Sequence, residues 1–184
     1  MPLNAAETVI AANGGVSIAP YGTTLPTDAT TTLDSAFKDL GYISEDGATF
    51  TPNVTSDGLP AWQSLTHIRK FITEFVISVA FEMLQWNEDT LTTFFGGGVF
   101  TDNGDGTFDF KLPKPGEAQE MSLVIDGVDG AKTYRIVLDK VFISDAGDVS
   151  FMRSDAAKLP VTVDALAGDD EGRPGAIYWS TPAA

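Results

Sequence analysis

The chain has 184 residues, no cysteine and one histidine, and 26 acidic against 11 basic side chains leave a formal charge of −15. That inventory excludes disulfides, thiolate metal sites and any histidine-based metal cluster or catalytic dyad. Hydrophobic residues, at 43 %, are enough for the core of one domain, while the acidity works against nucleic-acid binding, which depends on Lys and Arg at the phosphates.

Residues 1–33 are rich in Ala, Thr, Gly and Pro and predict an extended N-terminal arm without a core of its own. One short strand-like piece, Val16 to Ala19, precedes Pro20. The opening MPLNAAETVI has no basic region, so no signal peptide is expected. Asp34 is placed to cap one helical turn, Ser35 to Asp39, stopped by Gly41. Leu40, Tyr42 and Ile43 predict a strand, Glu45-Asp46-Gly47 a turn, and Ala48 to Thr51 the return. Residues 52–61, PNVTSDGLPA, predict a loop because they hold two prolines and Asp-Gly. Trp62 to Ile68 predicts a strand that leads, past Arg69 and Lys70, into the next element.

That element, Phe71 to Trp86, is the strongest signal in the chain. Phe71, Phe75, Ile77, Val79, Phe81 and Met83 alternate with positions that include Glu74, Ser78 and Glu82. Period two predicts one strand with a buried face and a partly polar face, roughly 50 Å long at about 3.3 Å per residue. Its carboxylates exclude a membrane helix, which needs an uninterrupted apolar run. A strand so long needs neighbours along its whole length, which points toward assembly. Next, Asn87 predicts an N-cap, with Glu88 and Asp89 in the first helical turn and Leu91, Phe94 and Phe95 as the packing face. Gly96-Gly97-Gly98 ends that helix.

The second half is again β. Strands are predicted over Gly106–Leu112, Met121–Val128 and Thr133–Ile143, with a hairpin turn at Asp129-Gly130. A turn at Asp145–Asp148 precedes a strand over Val149–Arg153, and further strands cover Leu159–Leu166 and Ala176–Ser180. The fold class is mainly β with one flanking α-helix, an arm over residues 1–33 and a single domain over 34–184.

No side-chain constellation points to catalysis. Thr101 to Gly106 resembles a calcium loop, but Thr101 and Leu112 stand where carboxylates are needed, so a hairpin turn is the better reading. Asp169-Asp170-Glu171 reads as a solvated acidic loop. Glu74 and Glu82 lie on one face of the long strand, roughly 26 Å apart, against the about 10 Å a glycosidase pair allows. His67, Arg69 and Lys70 form the most basic cluster, which suits an interface with acidic groups. Trp62, Trp86 and Trp179 are widely spaced and read as core or interface aromatics. Nucleophile-elbow, P-loop and dinucleotide fingerprints are absent from the sequence. No cofactor or metal is expected.

Four segments carry a family resemblance: PTDATTTLDSAFKDLGYISEDGATF, FVISVAFEMLQWNEDTLTTFFGG, YRIVLDKVFISDAGDVSFMRSDAAKLPVTVDAL and the closing IYWST. Together they resemble the major tail tube proteins of long-tailed (siphovirus-type) bacteriophages, in the form common among phages of actinobacteria. Asp39-Leu40-Gly41-Tyr42 and Glu45-Asp46-Gly47 are the most specific part. The resemblance implies a β-sandwich or barrel-like subunit with one flanking helix. It implies hexameric rings that stack into a hollow tube, each subunit adding strands to a continuous inner barrel. The partners implied are other copies of the chain and tail-tip, tape-measure and tail terminator proteins, in a virion tail assembled in the host cytoplasm. The resemblance also implies that DNA passes through the lumen without specific binding and that no membrane is involved. Glu74, Ser78, Glu82 and Asp139 are the candidates for the lumen face, with Arg135 on the same strand face as Asp139. The arm 1–33 and the segment 52–61 are the candidates for contacts between rings. Alternatives are a secretion-system tube subunit, which would pass proteins, and a monomeric acidic β-sandwich module for adhesion or carbohydrate binding.

Overall fold

The computed structural model describes residues 7–114, 116, 119–169 and 171–180. Ten strands and one helix follow in chain order: β1 (Asn13–Pro20), β2 (Lys38–Asp39), β3 (Ile43–Ala61), β4 (Ser64–Met83), α1 (Glu88–Phe95), β5 (Val99–Asp102), β6 (Phe108–Lys111), β7 (Met121–Asp129), β8 (Lys132–Ala146), β9 (Leu159–Ala165) and β10 (Gly175–Ser180). The main sheet runs β2-β1-β7-β8-β9-β4-β3, with β10 also paired to β8, and β5-β6 is a separate hairpin. All pairings are antiparallel. The protein is thus mainly β with one helix, as its periodicities predict.

Alternation builds the core. Val79, Phe81 and Met83 of β4 face Val163, Val161 and Leu159 of β9 in register, and all six are buried. Val16, Ile18, Leu40, Leu123, Leu138 and Val141 extend the same cluster. One helix closes it. Asn87 Oδ1 accepts from Thr90 N at 2.9 Å and Thr90 Oγ1 accepts from Asn87 N at 3.0 Å, a reciprocal cap. Gly96 ends α1 with φ 67°, where a side chain would be strained. Phe94 is buried in the core and Leu91 packs against it. Phe95 is half exposed. It meets Phe94 edge-on and stacks on Phe110 of β6 at 5.7 Å.

The opposite face of β7 and β8 is covered as well. Val124 and Val137 are buried there with Ala19 and Ala29. Arg135, also buried, donates from Nε and Nη2 to the Asp126 carboxylate at 2.6 and 3.0 Å. Its Nη1 donates to the carbonyls of Thr31 at 2.6 Å and Asp28 at 3.2 Å, which ties the segment after β1 onto the sheet. Asp28 in turn accepts from the amides and hydroxyls of Thr30 and Thr31. Those bonds, the Thr31 hydroxyl foremost, hold its carboxyl well below the usual carboxylate range.

Several local expectations are corrected. Residues 13–20 of the expected arm are a strand inside the sheet, paired with β7 along their length. Asp34 does not start a helical turn. Its carboxylate accepts from Ala36 N and its carbonyl from Phe37 N, a tight turn leading into β2. Residues 45–47 are an irregularity between Ile43 and Ala48 within β3, because both flanks pair with the same strand, β4. Residues 52–61 are not a loop but the far half of β3. Their prolines are tolerated because β3 is the outermost strand, where a missing donor breaks no central ladder. Trp62 lies in the turn, and the strand expected over 62–68 and the long strand are one element, β4, ending at Met83. Val149–Arg153 forms no strand: the lane beside the end of β8 is taken by β9, with Ala146 opposite Val161.

Candidate assembly surface

β4 pairs with β9 only from Ile77 to Met83. Before Ile77 its one partner is β3, so the two strands leave the sheet as a ribbon ending at Trp62. Along β8, β10 takes up the lane beyond the end of β9, opposite Thr133 to Leu138, and the ribbon does not pair with it. Apolar side chains crowd the ribbon in the open. Trp62 and Leu65 are fully exposed. Val54, Leu59, Ile68, Phe71, Ile72 and Phe75 are all at least half exposed. A contiguous run of this kind marks an interaction site far more often than an idle surface.

Where the ribbon joins the sheet, the face opposite the core is polar. Ser78 Oγ donates to Asp164 Oδ1 at 2.6 Å. Glu82 lies 3.4 Å from Lys158 Nζ. Glu82, with Asp155, raises the Lys158 pKa by holding its charged form. Thr162 shares the Asp164 side of β9, while Thr49 and Thr51 stand opposite Ala80 and Ser78. Glu74 is exposed on the ribbon, opposite Thr55. Asp139 is elsewhere: it is half buried in β8, its side chain lies against Gly168, and its amide donates to Pro174 O. Thus Ser78 and Glu82 share one face, Glu74 extends from it along the ribbon, and Asp139 is not among them. Thr162 and Asp164 went unnoticed as members of this face, although period two in LPVTVDAL places them opposite Val161 and Val163.

The remaining candidates are structural. Residues 101–106 form the β5-β6 turn, where Asp105 accepts from Thr107 and is held in its charged form. Asp170 lies outside the described residues, while Asp169 caps its loop by accepting from Glu171 N and Arg173 N. Among the described residues no three His, Cys, Asp or Glu side chains are placed to hold a metal ion, and no helix is long and apolar enough to cross a membrane.

Fold and surface define a mainly β protein with a projecting, apolar ribbon. A family profile described as phage tail tube protein matches residues 1–182, and the chain belongs to that family. It is therefore a structural component of the phage tail. Among solved structures, the fold is similar to a chain in the anti-feeding prophage baseplate, with a TM-score of 0.43 and 13 % identity over 94 % of this chain and 95 % of that one. It is also similar to a chain in the sheath–tube complex of an extracellular contractile injection system in the extended state, with a TM-score of 0.42 and 9 % identity over 94 % and 93 %. No curated protein matches it.

Proposed function

We propose that this chain is the repeating subunit of the tail tube of a long-tailed phage, forming hexameric rings that stack around a lumen through which DNA leaves the capsid. The projecting β3-β4 ribbon carries this reading. Its apolar side chains have no cover in a single copy, and a two-stranded ribbon is marginal by itself in water. Neighbouring copies supply both the cover and the missing strands. The polar face of Ser78, Glu82, Thr162 and Asp164 is the proposed lumen wall, with Glu74 continuing it. Carboxylates and hydroxyls there repel or ignore phosphates, so DNA slides without sticking. Tail-tip, tape-measure and terminator proteins are the further partners, and assembly takes place in the host cytoplasm before the tail joins the virion.

The test is negative-stain microscopy with light scattering over a concentration series, with and without preformed tail tips. Six-fold rings or hollow tubes are the expected product. A strict monomer under every condition, tail tips included, would refute the reading.

A further inference from the structure

A second exposed apolar cluster stands at the other end of β4. Trp86 follows the strand by three residues and its Nε1 donates to Ala157 O at 2.9 Å. Its ring lies 5.4 Å from that of Phe151. Phe151 is 79 % exposed and Met152 beside it 57 %. Trp62 and Leu65 stand at the opposite end of the same 20-residue strand, about 60 Å away if the strand runs straight. One copy cannot bring these two clusters together.

Their charges are opposite. The outer part of the ribbon, from Asp57 to Phe71, holds Arg69 and Lys70 against one carboxylate, Asp57, which stands opposite Phe71. The end that carries Trp86 is acidic on balance, its carboxylates outnumbering Arg153 and Lys158. Glu88 lies two residues on, and Asp155 lies beside Lys158. Asp148 follows Gly147, which donates to Pro160 O opposite Glu82. Asp46 lies in the irregularity of β3 that flanks Phe81 and Glu82. All four carboxylates are exposed.

We propose that the ribbon of one copy seats Trp62 and Leu65 on the Trp86–Phe151–Met152 cluster of a second copy, with Arg69 and Lys70 against its acidic rim. This contact rests on the tube reading and adds to it the receiving surface. Two different patches meet, so each copy keeps one free end of each kind and the contact repeats from copy to copy, the rotation between copies deciding whether it closes a ring or extends a stack. Arg69 and Lys70 give approach between two molecules of charge −15 an attractive point at the outer part of the ribbon.

The cysteine-free chain makes the contact testable by cross-linking. Gln63→Cys and Ser154→Cys change exposed side chains beside the two patches, and Ile177→Cys one away from both, so folding and the contact are preserved. Tubes assembled from a mixture of Q63C and S154C and treated with a short bis-maleimide should give a covalent dimer. The Q63C/S154C double variant should give a ladder, and the Q63C/I177C mixture should give neither. Tubes seen by microscopy without that dimer, or with equal yield from the I177C control, would overturn the contact and leave the tube reading intact. Failure of the wild type to assemble even on tail tips would overturn both. R69E/K70E should slow assembly about tenfold at low salt, with the difference shrinking near 1 M salt as screening sets in; an unchanged rate would remove the electrostatic part of the proposal.

Discussion

Arg135→Met removes a charge from the sheet while nearly keeping the volume of the side chain. Arg135 is 7 % exposed and binds both Asp126 oxygens and two carbonyls of the segment after β1. Breaking a buried pair by deleting one partner costs about 3–5 kcal/mol, mostly because the other charge stays behind. The Asp126 side chain is 28 % exposed, so water recovers part of that. The carbonyls of Asp28 and Thr31 sit on exposed residues and turn to solvent at little cost. The net loss is about 2–3 kcal/mol. For a chain of this size each kcal/mol moves Tm by about 2–4 °C, so a fall of about 4–12 °C is expected in a circular-dichroism melt of the unassembled protein. Amide exchange over residues 21–33 should rise in parallel, since Arg135 is what ties them down. A melt within about 2 °C of wild type, or unchanged exchange in that segment, would refute the reasoning. Asp126→Asn and the double variant complete a cycle, and a coupling below about 0.5 kcal/mol would show that the two side chains act independently.

Phe94→Ala empties a core position and should lower stability by about 3–5 kcal/mol in urea titration. Asn87→Ala removes the cap of α1 and should cost about 1 kcal/mol, detectable as a shift in the same midpoint. Asp28 is held charged by its four hydrogen bonds. The folded state therefore binds its proton less readily than the unfolded chain. Its contribution is complete above the ordinary Asp value of about 3.9 and is lost as pH falls below that value, through the depressed folded pKa. Acid unfolding of Asp28→Asn should accordingly show a shallower pH dependence below about pH 4 than wild type. Trp62→Ser and Leu65→Ser should leave the monomer within about 0.5 kcal/mol of wild type while preventing tube growth, read by melting and by light scattering.

The alternation of Phe71 to Met83 made the long strand legible, and the Asn87 cap with Gly96 bounded the one helix correctly. Most of the second-half strands were legible for the same reason: each has a buried face set by period two. The far half of β3 was not. Its local residues, Pro52, Asp57-Gly58 and Pro60, are those of a loop, and only pairing with β4 makes them a strand. The polar segment after β1 hid a different fact. Its order comes from Arg135, more than 100 residues away in the chain, and no local pattern announces such a bond. Of the polar face, Ser78 and Glu82 were found because they interrupt an apolar strand. Asp139 is expected beside them only if Thr133 to Ile143 forms a second inner strand, and in β8 the loop that returns at Gly168 lies against its side chain.

Those same prolines bear on how the ribbon engages a neighbour. An outer strand with continuous free donors invites pairing with any passing strand, and natural sheets blunt such edges with proline, charge and irregular register. β3 carries Pro52 and Pro60, and its pairing with β4 shifts register between Thr55 and Ser56 and again between Leu59 and Ala61. Each proline lacks a donor, and each shift bends the ribbon away from the flat geometry that backbone pairing requires. Main-chain addition along the outer part of β3 is therefore disfavoured, which protects a concentrated pool of subunits from random edge-to-edge association. Recognition there falls to side chains: two exposed apolar groups at the tip, flanked by two positive charges on a strongly negative molecule. That arrangement lets a subunit remain soluble through its charge and still offer one attractive point of attachment, where the partner must present both an apolar seat and an acidic rim.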